Sequence, residues 1–322
     1  MKQLLKTTAI AAVALASSNA VAGGMYIDVG SPAFDQYFSG GGLVANDADT
    51  QTGTFTEFGF TGLLATSIYG LTAGGTLDGT IIDTNITADL MAAGITAGGT
   101  GGLSLAGNPY VVPGGPNAGD TTLALPDCNG GQCSVSNLSP LTNAAGIEDG
   151  EGFGNTWGFD VEYNLIATLG ANGPVYTGGY IDFFFNDLIN GTQSLAFSAN
   201  VTGSSINAAN LDIFFEVSFV EAGLLFVQDQ YGNFQDLSVE LANAVASGSN
   251  FPTFQIDTNV NPPVPTADGL LVVTGTDGVT RAIRQTTLDG SARVTLVPEP
   301  STLALLGLSL VGFGVASRRR KQ

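Results

Sequence analysis

The sequence predicts an all-β chain: an antiparallel β-sandwich or jelly-roll-like body, preceded by an N-terminal signal helix and followed by a short C-terminal transmembrane helix. Three observations lead there. Runs in the second half alternate apolar and polar residues with a period of two, the pattern of a strand with one buried and one wetted face. Turn signals separate these runs at the spacing of a sandwich or jelly roll. Lysine is absent between Lys6 and Lys321, and 45 of the 322 residues are glycine, about double the usual share of about 7%, a composition that disfavours long surface helices.

The elements follow in chain order. Lys2 and Lys6 form a positive start, Thr7 to Ser18 is small and mostly apolar, and Ala20-Val21-Ala22 offers signal peptidase its small-x-small pattern, with Gly23 as the new N-terminus. Residues 1–22 are therefore read as a signal peptide, 23–296 as a Gly-rich acidic β domain, and 297–322 as a tail. The first half of the domain is irregular in pattern, with short strands at Thr54–Phe60, Ile81–Ile86 and Thr121–Leu125. The second half is clearer. Phe153, Trp157, Phe159, Val161, Tyr163 and Leu165 share one parity, as do Leu195, Phe197, Ala199 and Val201, and again Leu211, Ile213, Phe215, Val217 and Phe219. Tyr180–Phe185 and Leu224–Val227 read as strands covered on both faces, and Leu270–Thr274 begins another. Residues 237–245 fit a strand or a short helix behind Asp236. Asn259–Thr266, with three prolines, reads as a rigid loop or an edge cover. Asp289-Gly290 signals a type I′ turn pairing Arg281–Thr287 with Ser291–Val297.

Charge and residue types exclude much chemistry. From Gly23 to Val297 there are 27 of the chain's 28 acidic residues against Arg281, Arg284 and Arg293 alone, a net charge of −24. Such a field repels nucleic acid and anionic lipid, and attracts divalent cations. No histidine is present, which removes Ser-His-Asp and Cys-His catalysis. No lysine remains in this region for Schiff-base chemistry, and no phosphate loop or dinucleotide fingerprint occurs. Cys128 and Cys133 enclose a glycine-rich loop and read as a disulfide in an exported protein, stabilising a local turn. No catalytic residue, cofactor or metal centre is expected. The nearest approaches are Asp160 and Glu162 as a carboxylate pair on one strand face, and Asp47 and Asp49 or Glu148-Asp149-Gly150-Glu151 as calcium ligands, neither with EF-hand spacing.

The tail has three parts in order. Pro298-Glu299-Pro300 continues neither strand nor helix and stays open to an enzyme. Leu303–Ala316 is uncharged; its 14 residues would reach about 21 Å as a helix against a hydrocarbon core of about 30 Å. Arg318, Arg319, Arg320 and Lys321 then favour the cytoplasmic side. This tail closely resembles the PEP-CTERM sorting signal. The resemblance implies recognition by an exosortase-type membrane enzyme, processing near Pro298-Glu299-Pro300, a transient membrane anchor, and association with exopolysaccharide. Trp157-Gly158-Phe159-Asp160, Tyr176–Tyr180 and Phe183-Phe184-Phe185 in a Gly/Asn/Thr-rich acidic body resemble, more loosely, cargo proteins linked to flocs and biofilms. The reading is thus an exported cell-surface or matrix protein that supports aggregation. The alternatives are a carbohydrate-binding module using Trp157, Tyr163, Tyr176 or Tyr180 and, behind it, a glycan-processing enzyme.

Overall fold

The computed structural model describes residues 23–39, 42–45, 49–95, 102–112, 119, 123–128, 130–141, 150–208 and 210–297. The signal peptide and the tail from Pro298 onward lie outside the described residues, as do Thr121 and Thr122 of one expected strand. Among the described residues no helix is long and apolar enough to cross a membrane.

The chain is mostly β. Its strands are β1 (Met25–Ile27), β2 (Gln36–Ser39), β3 (Gly42–Ala45), β4 (Glu57–Leu71), β5 (Leu77–Thr84), β6 (Asn137–Ser139), β7 (Trp157–Gly170), β8 (Gly173–Asp187), β9 (Thr192–Asn207), β10 (Asn210–Val220), β11 (Leu225–Gln228), β12 (Phe234–Asp236), β13 (Thr253–Asn259), β14 (Leu271–Thr274) and β15 (Thr280–Thr295). Two helices interrupt them, α1 (Thr87–Ala92) and α2 (Leu237–Ser247).

The long strands pair antiparallel with their neighbours in the order β4, β5, β7, β8, β9, β10, β13, β15, and β15 returns to pair with β4 from Arg281↔Gly70 to Ala292↔Phe58. The antiparallel sheet expected from the alternation is present, with its two halves stacked across a shared interior. The order around the ring, however, follows the chain, without the long crossovers of a jelly roll. Closure leaves these eight strands no free lateral edge except where a partner strand ends.

One place in the ring is filled by two segments end to end. β5 covers the second half of β4 and stops at Thr84; β6 covers the first half. Between them the Asn85 side chain bridges to β7, donating from Nδ2 to the Val161 carbonyl at 2.6 Å and accepting from the Tyr163 amide at 2.8 Å. Residues 133–135 then continue the wall, with Val161 N donating to the Cys133 carbonyl and Val135 N to the Phe159 carbonyl. Cys133 is disulfide-bonded to Cys128, so the cross-link sits beside a segment that completes the barrel wall.

Two local expectations change and one open alternative is decided. Residues 281–297 do not form a hairpin: β15 runs straight through Asp289-Gly290, with a register shift against β4 between Leu288 and Gly290. Asp289 accepts a hydrogen bond from the Gly62 amide at 2.7 Å. At Gly290 a Cβ would lie 2.2 Å from the Asp257 carbonyl oxygen, so glycine is there for close approach to β13 and not for a turn. Residues 237–247 form a helix, because Asp236 caps it by accepting from the Ser238 amide at 2.8 Å and Gly248 ends it in the left-handed region. Residues 123–125 form no strand; Ala124 is held by its amide and carbonyl to the buried Gln285 side chain.

Inward parity fills one end of the barrel with aromatic rings. Phe183 of β8 lies 5.6 Å from Phe58, 5.5 Å from Phe197 and 5.5 Å from Phe254 between ring centroids. Phe58 and Phe254 belong to strands three places away around the ring, so these contacts cross the interior. The small sheet β1-β11-β12 and α2 cover this end, burying Met25, Ile27, Leu225, Val227, Leu237 and Leu241. A second cluster lies outside the wall, where Leu90, Ile95, Tyr110 and Val112 pack on Ile68, Leu271 and Ile283.

Truncating the ring at the centre of these contacts creates a large cavity. Phe183→Ala is expected to lower unfolding free energy by about 3–5 kcal/mol, and Phe219→Ala, on the exposed side of β10, by less than about 1 kcal/mol, both read from urea unfolding of the full chain.

Candidate functional site

Two regions gather chemistry-bearing side chains, one outside the barrel wall and one within it. The outer region follows from the polar parity of β7. Phe159, Val161 and Tyr163 point inward and Asp160, Glu162 and Asn164 outward. Glu162 stands directly opposite Asp182 in the β7–β8 register, a like-charge cross-strand pair. Burial raises the Glu162 carboxyl above its ordinary range, helped by the charges of Asp182, Asp160 and Asp89. Asp160 is more enclosed than a wetted strand face would be. Its carboxylate accepts from Ser134 Oγ at 2.7 Å and Gln193 Nε2 at 3.3 Å. Asp160, Glu162, Ser134 and Asn186 line a surface groove of about 570 Å³.

This outer face brings the two carboxylates of the sequence reading together, but not a metal centre: among the described residues no group of three or more His, Cys, Asp or Glu side chains is arranged to hold an ion. Of the calcium candidates, Asp47, Glu148 and Asp149 lie outside the described residues. Asp49 accepts from the Gln51 amide at 3.0 Å, a local turn bond. Glu151 is buried, and its carbonyl accepts from Trp157 Nε1 at 2.6 Å.

The aromatic platform does not assemble at the surface. Trp157 is fully buried, stacked on Phe185 and edge-on to Phe153. Tyr163 and Tyr176 are buried as well; Tyr180 alone of the four is exposed, at 37%.

The inner region lies at the barrel end opposite the aromatic core. Here the inward parity turns polar: Ser67 and Tyr69 on β4, Asp83 on β5, Tyr163 on β7, Tyr176 on β8 and Arg284 on β15 surround a cavity of about 60 Å³, with Leu165, Leu211, Ile213 and Val260 as apolar walls. Asp83 is only 6% exposed. One of its oxygens accepts a short hydrogen bond from the Tyr176 hydroxyl; the other, Oδ1, has no hydrogen-bond partner. Arg284 donates to the carbonyls of Asn261 and Pro262, each at 2.8 Å. It thereby holds the proline-rich loop over the cavity, so the loop covers a barrel end.

The electrostatics follow from burial. Desolvation raises the Asp83 carboxyl, against the pull of Ser67, Tyr176 and the Arg284 charge. Desolvation and then the Asp83 charge push Tyr69 up to about 12 and Tyr176 well above the usual phenol range. The phenols therefore remain donors throughout the neutral range.

Sequence reading placed Tyr163 and Tyr176 among its candidates but missed Asp83, Tyr69, Ser67 and Arg284. A signal existed: Asp83 shares the parity of Ile81, so a carboxylate stands where that strand's period calls for an apolar residue.

A family model described as the PEP-CTERM protein-sorting motif matches residues 296–321. No curated protein and no solved structure matches the chain. The chain thus carries a PEP-CTERM sorting motif, which implies export, transient membrane anchoring and processing by an exosortase-type membrane enzyme. Pro298, Glu299, Pro300, Arg318, Arg319 and Arg320 fall within the matched span.

The buried carboxylate gives a pH signature. The folded pKa of Asp83 lies above the unfolded value of about 4, so at pH values between the two the folded state binds a proton that the unfolded chain has released. Stability contributed at this site is thus largest below the unfolded pKa and falls as pH rises through the folded pKa. Asp83→Asn, which keeps the shape and an acceptor for Tyr176, is expected to flatten that fall in melting temperatures measured from pH 4 upward.

Proposed function

We propose that the chain is an exported cell-surface or matrix protein whose barrel supports cell aggregation, contacting exopolysaccharide and bridging acidic surfaces through divalent cations. The observation that carries this reading is the sorting motif at residues 296–321, joined to a body with 27 acidic residues, three arginines and no lysine. Such a surface stays soluble and holds a diffuse layer of counter-ions without needing an ion-specific cage. A closed wall suits display at high density, since the barrel strands offer little edge for pairing with another copy.

The body is proposed to be non-catalytic. Asp160 and Glu162 are the nearest to a catalytic pair, but Asp160 is engaged by Ser134 and Gln193. A polysaccharide-binding module built on the four aromatic candidates is less favoured, because three of them are buried.

Cell settling tests the reading. Deleting the gene is expected to slow settling of the host cells, complementation with the full chain to restore it, and complementation with a chain ending at Val297 to fail. Chelating divalent cations is expected to slow settling of the wild type and to add little in the deletion strain. Equal settling of all strains, with and without chelator, would overturn the proposal.

A further inference from the structure

We infer that the cavity at the polar end of the barrel is a binding site for a small, neutral polyol of about four to six non-hydrogen atoms, the size its about 60 Å³ admits at about 10–15 Å³ per water-sized group. This is separate from the aggregation reading, and cell settling does not depend on it.

The first support is the wall. β15 pairs with β14 up to Ile283 and with β13 from Gly290 onward. Residues 284–289 have no strand partner on that edge, and the cavity lies behind this interruption. It is closed there by the loop that Arg284 holds and not by a hydrogen-bonded ladder. Ala65, Ser67 and Thr286 line the cavity and are only half-buried, so the interior space is reached by water. A water needs about 10–15 Å³ of such space, and about 60 Å³ is present. The mouth of a small β-barrel is a common place for one small ligand.

The second support is the unmet bonding capacity. Asp83 Oδ1 is buried, lines the cavity and makes no well-formed hydrogen bond, the Ser67 hydroxyl opposite it being the one protein group near enough to favour the carboxylate besides Tyr176 and Arg284; a buried polar atom left so is costly. A ligand hydroxyl would satisfy it, as acceptor or donor according to the protonation of Asp83.

The third support is the balance of the lining. Arg284 is engaged by the Asn261 and Pro262 carbonyls and Asp83 by the Tyr176 hydroxyl, so the capacity left in the cavity is for hydrogen bonds to a neutral guest. Phenol and aliphatic side chains supply apolar walls beside these polar groups, which suits a molecule with hydroxyls around its edge and C–H groups on its faces. The aromatic core beyond Phe183 closes the far end, so a free small molecule fits and a threaded polymer does not.

The site also has a direction. The sorting motif begins one residue beyond the end of β15. Arg284 lies eleven residues earlier on that strand, about 36 Å at about 3.3 Å per residue. The cavity therefore lies at the barrel end remote from the tail.

The test is calorimetry and saturation-transfer NMR on the full chain, with ethylene glycol, glycerol and erythritol as neutral probes and acetate as the anionic control. Saturable binding of at least one neutral probe is expected. Ala65→Phe, which fills the cavity, and the isosteric Asp83→Asn are each expected to weaken it by at least about tenfold, while Tyr180→Ala on the outer face leaves it unchanged. If Ala65→Phe does not fold, Asp83→Asn decides. The inference is overturned if no neutral probe binds saturably, if binding survives Asp83→Asn intact, if Tyr180→Ala abolishes it, or if acetate binds more tightly than every neutral probe.

Discussion

The pairing of β15 with β4 is the constraint on which the rest of the structure depends. Without it the long strands would form an open meander with two exposed edges and a face too large to cover. With it, every strand from β4 to β15 has an inside and an outside, and a single parity decides which residues meet. Phe58, Phe183 and Phe254 touch because closure brings strands three places apart across one interior. Closure also dictates where irregularity can stand. Gly290 has to be glycine because β15 passes within reach of the Asp257 carbonyl, and Asn85 has to supply side-chain bonds because β5 is too short to cover β4 alone.

An interior fixed by closure has to be filled or lined throughout, and this chain does so unequally. The covered end uses phenylalanine, whose rings pack edge-on and tilted and add about 0.5–1.5 kcal/mol per pair beyond area burial. The other end uses tyrosine, serine, a carboxylate and a guanidinium. That choice keeps the end hydrated and pins the proline-rich loop through Arg284. It also places on Asp83 a desolvation burden that a wholly apolar end would avoid. Sequences do not ordinarily retain a half-satisfied polar group in a barrel where a leucine would pack, and that is why the proposed binding role is placed at this end and not at the aromatic end.

The legible parts of the fold were those where one rule acts alone. β7 and most of β9 and β10 alternate because each has one face in the core and one in water, and their parity named most of the interior; the register shift between Val217 and Phe219 turns Phe219 outward against that parity. The second half of β4, Thr61–Leu71, gave no such pattern. Ile68 is covered from outside by Leu90, Ile95, Tyr110 and Val112, and Leu64 is tied through its amide to the wall segment at Gln132, so both faces carry apolar residues and the period is lost. Asp289-Gly290 misled because the same dipeptide that makes a tight turn also permits a close strand contact, and only the partner strand distinguishes the two. Helix α2 was ambiguous because Leu237 and Leu241 satisfy both periods; the Asp236 cap and Gly248 decide it. The inner site was hidden for a further reason: its members come from β4, β5, β7, β8 and β15, and nothing local says that strands so far apart in sequence face one cavity.

The acidity of the outer wall acquires meaning from the same geometry. Glu162 faces Asp182 with Asp160 and Asp89 near, and no lysine or arginine is among the charges acting on it, so the repulsion is borne by solvent and by counter-ions. A protein selected for stability alone would have replaced one of these carboxylates at little cost to the barrel, whose closure rests on backbone pairing and on the rings inside. A repulsive exterior around a hydrogen-bonded interior would separate the two proposed kinds of recognition. In the proposed function the outside would answer to cations and to the collective charge of a matrix, weakly and over its whole area. In the proposed inner site, behind the wall, recognition would depend on shape and on the buried carboxyl of Asp83.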